Sequence, residues 1–200
     1  QEGIDLIIKA WTEDSPFAWD GDQFQFSTVS VWPRTVQTPH PPVFGSGNSD
    51  ESVRFAATRR MGIAFSFASP DVVRNWVALY HAEANKAGWQ PGPEHILYRG
   101  IAYAAPSDAQ AFDEMGAFFG AKATEQAQIQ QQTLGGPPVV PLILEPYFVG
   151  GPDTLKGRFE AIRDCGVGVV DLAWGVGAPA QREAAMDCFA QGVLETAQGL

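Results

Sequence analysis

Cysteine is scarce: Cys165 and Cys188 are the only two in 200 residues. That is too few for a disulfide framework, so free thiols and a reducing, cytoplasmic setting are expected. Positive charge is scarce too. Thirteen Lys and Arg against 23 Asp and Glu leave a net charge of −10. A field of that sign repels phosphodiester backbones and anionic lipid, which argues against nucleic-acid and membrane partners. No apolar run approaches the ~20 residues of a membrane span, and the basic-then-apolar order of a signal peptide is missing. There is no GxGxxG motif and no initiating Met, and Gln1 opens inside a helical pattern, as expected of a piece of a longer chain. What the sequence does have is apolar material. At 45% hydrophobic and 12% aromatic residues, it can fill one sizeable core in a single domain spanning residues 1–200.

The order of elements carries more information. Ile4, Ile7, Ile8 and Trp11 form one apolar stripe over Gln1–Thr12, which predicts a helix. Glu13–Val36 reads as short extended pieces around Gly21, and the prolines of Pro33–Pro42 exclude a helix there. A strand and helix rhythm then begins. Strands are predicted at Pro42–Gly45, Gly62–Phe67, Ile96–Ala105 and Val167–Trp174. Helices are predicted at Ser52–Arg60, Pro70–Gly88, Asp108–Leu134, Pro152–Asp164 and Ala180–Ala197. Such alternation means a parallel sheet covered by helices, an α/β fold. Without a glycine-rich phosphate motif, a doubly wound sheet is disfavoured. A complete (β/α)8 TIM barrel needs ~250 residues and eight strands, so about four strands fit half of one.

Three segments carry a resemblance. PRTVQTPHPPVFGSGNSDESVRFAATRRMG (33–62), YRGIAYAAPSDAQ (98–110) and VGGPDTLKGRFEAIRDCGVGVVD (149–171) occur in the order and spacing of the bacterial luciferase-like, flavin-dependent monooxygenases. The chain resembles strands 5–8 of that family's barrel. The resemblance implies a flavoprotein oxidoreductase in which reduced FMN, supplied by a separate flavin reductase, reacts with O2 to oxygenate a small organic substrate. It also implies a homo- or heterodimer for the full-length protein, with the catalytic residues in the first half of the barrel and none here. Alternatives within the same barrel are an F420-dependent oxidoreductase and a non-catalytic flavin-binding protein; a barrel that binds no flavin is a further one.

The candidate site is Ser46–Ser52, a turn from strand to helix on the rim where barrel active sites form. Backbone N–H groups at a helix start, with Gly47 allowing close approach, make an anion site. Equally, Asn48 or Ser49 can serve simply as an N-cap, and Asp50 and Glu51 suit a first helical turn. Alignment of Phe55-Ala56-Ala57 with the family places Ser49 on its phosphate-binding serine and Ser52 on a nearby hydroxyl position, with Gly47 and Asn48 beside them. Trp174, at a strand end, falls in a segment that lines the family's flavin cavity, where ordinary barrel filling calls for an apolar residue as well. Phe67 is a second candidate wall of that cavity. The three histidines are poor candidates for a base: His40 and His95 precede strands, at the barrel's bottom, and His81 lies within an outer helix. Arg99 and Asp171 fall at similar heights on neighbouring strands, which predicts an ion pair inside the barrel. The Gly/Pro-rich 135–151 must hang over the barrel mouth before the helix at Pro152, and reads as a lid. Leu142, Ile143, Leu144, Tyr147 and Phe148 would be its apolar cover.

Overall fold

The computed structural model describes residues 2–133 and 148–194, and divides into two compact units, 1–43 and 44–200. In the first, helix α1 (Glu2–Thr12) accompanies an antiparallel hairpin of β1 (Phe17–Asp20) and β2 (Gln25–Val29). One carboxylate organises this unit. Glu2 accepts hydrogen bonds from the Trp19 indole at 3.0 Å and from the Gln23 and Phe24 amides at 2.8 and 3.1 Å, clamping the hairpin turn to the helix start.

The second unit holds the predicted alternation. Strands β3 (Phe44–Ser46), β4 (Gly62–Ser66), β5 (Ile96–Ala104), β6 (Phe148–Gly150) and β7 (Val169–Ala173) are all parallel to their neighbours. Helices α2 (Asp50–Thr58), α3 (Pro70–Lys86), α4 (Asp108–Thr133), α5 (Pro152–Arg163) and α6 (Pro179–Phe189) alternate with them, and α6 runs into a π-helical turn at Ala190–Leu194. The sheet runs β3–β4–β5. Strand β5 then pairs with β7 over Leu97–Ile101 and with β6 over Ala102–Ala104. Strand β6 was not predicted; it lies inside the segment read as a lid.

Register shows which face is covered. Phe65 and Tyr98 pair across β4 and β5, so they share a face, and Phe65 stacks on Trp76 of α3 at 5.4 Å. That face forms the core: Ile63, Phe65, Ile96 and Tyr98 are buried against Val53, Ala56 and Ala57 of α2 and Val73, Val77 and Tyr80 of α3. Burying each large side chain contributes roughly 1.5–3 kcal/mol. The buried Tyr80 hydroxyl donates to the Met61 carbonyl at 2.5 Å, and the Trp89 indole donates to the Ala57 carbonyl at 2.7 Å.

The opposite face, with Phe44, Ser66, Arg99, Val169 and Asp171, is open to solvent; Phe44 is 41% and Val169 37% exposed. In a closed barrel these positions are the interior. Strands β3, β4, β5 and β7 are therefore an incomplete barrel with its inner wall uncovered. The 200-residue chain expressed alone should self-associate or be poorly soluble, as read by size-exclusion chromatography with light scattering. A monomer with one sharp cooperative melt would contradict that.

Candidate functional site

Because the strands are parallel, the ends of β3, β4, β5 and β7 share one rim, and the serine turn lies on it. Asn48 holds it there. Its amide nitrogen donates to the Ser66 carbonyl at 2.6 Å and its amide oxygen accepts from the Ser66 N–H at 3.1 Å, a two-bond brace to the end of β4. Gly47 N–H adds a bond to the Ala64 carbonyl at 3.2 Å. Asn48, expected beside the ligand, thus spends its side chain on fixing the turn.

Ser49 is the N-cap of α2: its φ is −150° and its hydroxyl oxygen accepts the Ser52 N–H at 3.2 Å. The Ser49 and Ser52 hydroxyls also meet at 3.0 Å. Two hydroxyls joined by one hydrogen bond leave one hydroxyl hydrogen to spare. The N–H groups of Asn48, Ser49, Asp50 and Glu51 have no acceptor among the described residues. The cap thus uses acceptors while the donors stay free, at the helix end that carries about half a positive charge. Asp50, which would repel an anion, is drawn to the Trp76 indole at 3.2 Å. Gly47 is required because a Cβ there would lie 2.3 Å from the Ser52 oxygen.

Beyond the turn, Phe67 ends β4 in the left-handed region, at φ 53°, while 45% exposed. A bulky residue held there costs roughly 1–2 kcal/mol, and such strain concentrates at functional sites. Its N–H donates to the Arg99 carbonyl at 3.3 Å. Trp174 packs on Phe189 at 5.3 Å and on a rim cluster with Tyr103, Met115 and Val176. Packing within the unit accounts for its position. Arg99 and Asp171 pair in register, with Nε to Oδ2 at 3.5 Å, but at 54% and 47% side-chain exposure they lie on the open face rather than enclosed. His95 sits at the foot of β5, and His81 within α3 beside Tyr80. His40 lies in the first unit, 6.2 Å from the Trp11 ring.

Of the expected lid, 134–147 with Leu142, Ile143, Leu144 and Tyr147 lie outside the described residues. Phe148 is no cover. It is buried against Tyr98 and Phe159, and β6 continues the sheet. A residue missed from the sequence anchors this end: Asp108 at the start of α4 accepts from the Gly151 N–H at 2.7 Å and from the Thr154 hydroxyl at 2.8 Å. The Gly151 bond, then Thr154, hold its carboxyl below the ordinary value. Gly150, at φ +150°, could carry no side chain, since a Cβ would fall 2.7 Å from the Asp108 carboxylate. Only the Ser107-Asp108 pair at a helix start hinted at this role; its partner lies 43 residues away. Among the described residues no group of three His, Cys, Asp or Glu could hold a metal, and no helix is long and apolar enough to cross a membrane.

Two substitutions test this geometry. Gly47→Ala should cost about 1–3 kcal/mol in denaturant melts, and adding Ser52→Gly should recover most of it. Asp108→Asn should lower the melting temperature at neutral pH, with the gap closing in acid. A carboxyl lowered on folding stabilises above its unfolded value of about 3.9 and loses that contribution as pH falls through the lower folded value. A gap that persists below pH ~2 would contradict this.

The family model described as luciferase-like monooxygenase matches residues 1–167. Among solved structures, the monooxygenase RslO1 from Streptomyces bottropensis is similar at 23% identity and a TM-score of 0.76, over 97% of this chain and 59% of its own. The oxygenating constituent of 3,6-diketocamphane monooxygenase from Pseudomonas putida, in complex with FMN, gives 16% identity and 0.69 over 98% and 62%. An F420-dependent secondary alcohol dehydrogenase, in complex with an F420-acetone adduct, gives 15% and 0.72 over 96% and 59%. At these identities the likeness is one of fold, and the chain spans 59–62% of their lengths. No curated protein matches.

Proposed function

The chain belongs to the luciferase-like monooxygenase family, and from that premise we propose that it forms the phosphate-holding side of a flavin-dependent monooxygenase acting on a small organic substrate with O2. The observation that carries this reading is the Ser46–Ser52 turn: braced to β4, on the carboxyl rim, with four free amides and a spare hydroxyl hydrogen. Its donor set fits the phosphate of FMN.

In this reading the N–H groups of Asn48–Glu51 and the Ser49–Ser52 hydroxyl pair hold the phosphate, and the dipole of α2 favours its charge. Gly47 lets the phosphate approach the backbone. Asn48 keeps the turn in register with β4, so the donors are aligned before binding. Phe67, and at greater remove Trp174, wall the space above the sheet. Bound FMN, reduced by a separate reductase, supplies the redox chemistry with O2, while the protein orients substrate and excludes water. Within the second unit, His81 lies in α3 and His95 at the foot of β5, away from the rim, and in this reading the acid and base groups belong to the part of the barrel that covers the open face.

F420 is the second reading, supported by the fold similarity to the F420-dependent alcohol dehydrogenase. Turnover of the complete protein under nitrogen separates the two, because hydride transfer needs no O2. The phosphate assignment is tested by titrating FMN into the complete protein and its Ser49→Ala variant, following flavin fluorescence. Binding should weaken by about 1–3 kcal/mol, the scale of a hydrogen bond to a charged group. An unchanged titration removes Ser49 from the site.

A further inference from the structure

A cleft of about 490 Å³ opens at the carboxyl end of β5, between the first turns of α4 and the segment Val176–Gln181 that leads into α6. It lies within the size range of small-molecule sites. The serine turn is not among its walls. Its floor is apolar: Val176 is buried, and Ala117 and the half-buried Phe118 form a side. The polar groups converge on one carboxylate. Glu114 Oε2 accepts the hydroxyl of the buried Tyr103 at 2.5 Å, and Oε1 accepts the Gln110 side-chain amide at 3.0 Å. These two donors fix the carboxylate's rotamer and leave each oxygen one further lone pair. Asp113 is next to it, with no hydrogen bond or ion pair to another described residue, and no Lys, Arg or His is among the described residues that line the cleft.

We propose that this cleft binds a small organic cation, an ammonium group bearing a hydrocarbon or aromatic tail. The ammonium would sit on Glu114 and Asp113 within reach of the Tyr103 and Phe118 rings, whose faces attract cations. The tail would lie on Ala117, Phe118 and Val176. The lining sorts ligands by charge. Among the described residues an anion meets two carboxylates and no cation, and a neutral ligand covers the carboxylates without countercharge. The site stands apart from the flavin reading, because none of its groups is used there.

The test is calorimetric titration of the intact protein with phenethylamine, phenethyl alcohol and phenylacetate, which share a ring and differ in charge. The ammonium should bind, the alcohol about tenfold more weakly or worse, and the carboxylate not measurably. Glu114→Gln keeps an acceptor for Tyr103 and should lose about tenfold in amine affinity while leaving the FMN titration unchanged. Ala117→Trp places bulk from an exposed helix position into the cleft and should abolish binding in a protein that melts normally. Equal affinity for amine and alcohol, no binding of the amine, or wild-type affinity in both variants would each overturn the proposal. Loss of FMN binding by Ser49→Ala bears only on the serine turn.

Discussion

Parallel pairing is the constraint from which the rest follows. Four strands pointing the same way place four carboxyl ends, four helix starts and their free amides on a single rim. An antiparallel strand anywhere in β3–β4–β5–β7 would send one of those ends to the other side. The price of parallel order is a crossover helix per strand, which covers one face only. The other face waits for further strands. That is why the same sheet has a well-packed side at Phe65 and Tyr98 and an open side at Phe44 and Val169.

At the serine turn, capping and anion binding do not compete. A cap satisfies one N–H of the four that a helix start leaves orphaned. Ser49 does this for Ser52, and the remaining donors point to no acceptor among the described residues. An exposed helix start would normally give those donors to water. What distinguishes this turn is rigidity: the Asn48 brace, the Gly47 bond to Ala64 and the Ser52 side chain folded over Gly47 remove most of its freedom. Ordering entropy is then settled by folding rather than by binding.

The β–α alternation was legible because β4, β5 and β7 are short apolar runs and α3 and α5 each carry an apolar stripe at 3.6-residue spacing. The position of Ser49 at a helix start was legible for the same reason, from residue type alone. Asn48 was not, since its partner is a backbone group 18 residues away, which no local pattern encodes. Strand β6 was hidden because three residues among glycines and prolines give no period, and its pairing with Ala102–Ala104 is a tertiary fact. Phe67 carries no sequence signal of its backbone strain; a glycine there would have announced the turn.

The Arg99–Asp171 pair shows how a correct register can accompany a different environment. Counting along the two strands brought these residues level, and they are paired in register. At about half exposure and 3.5 Å the interaction resembles a surface ion pair, worth 0–1 kcal/mol at most. Covering the open face would withdraw water from both charges, and their attraction would rise as the local dielectric fell. Desolvation would rise too, and commonly by more. The pair is therefore a poor source of stability in either state. It is a good source of specificity, because shifting β7 by one residue against β5 would turn Asp171 to the apolar helix-covered side and strand Arg99 without a counterion. The two charges act against misregister at the strand that completes this half of the barrel.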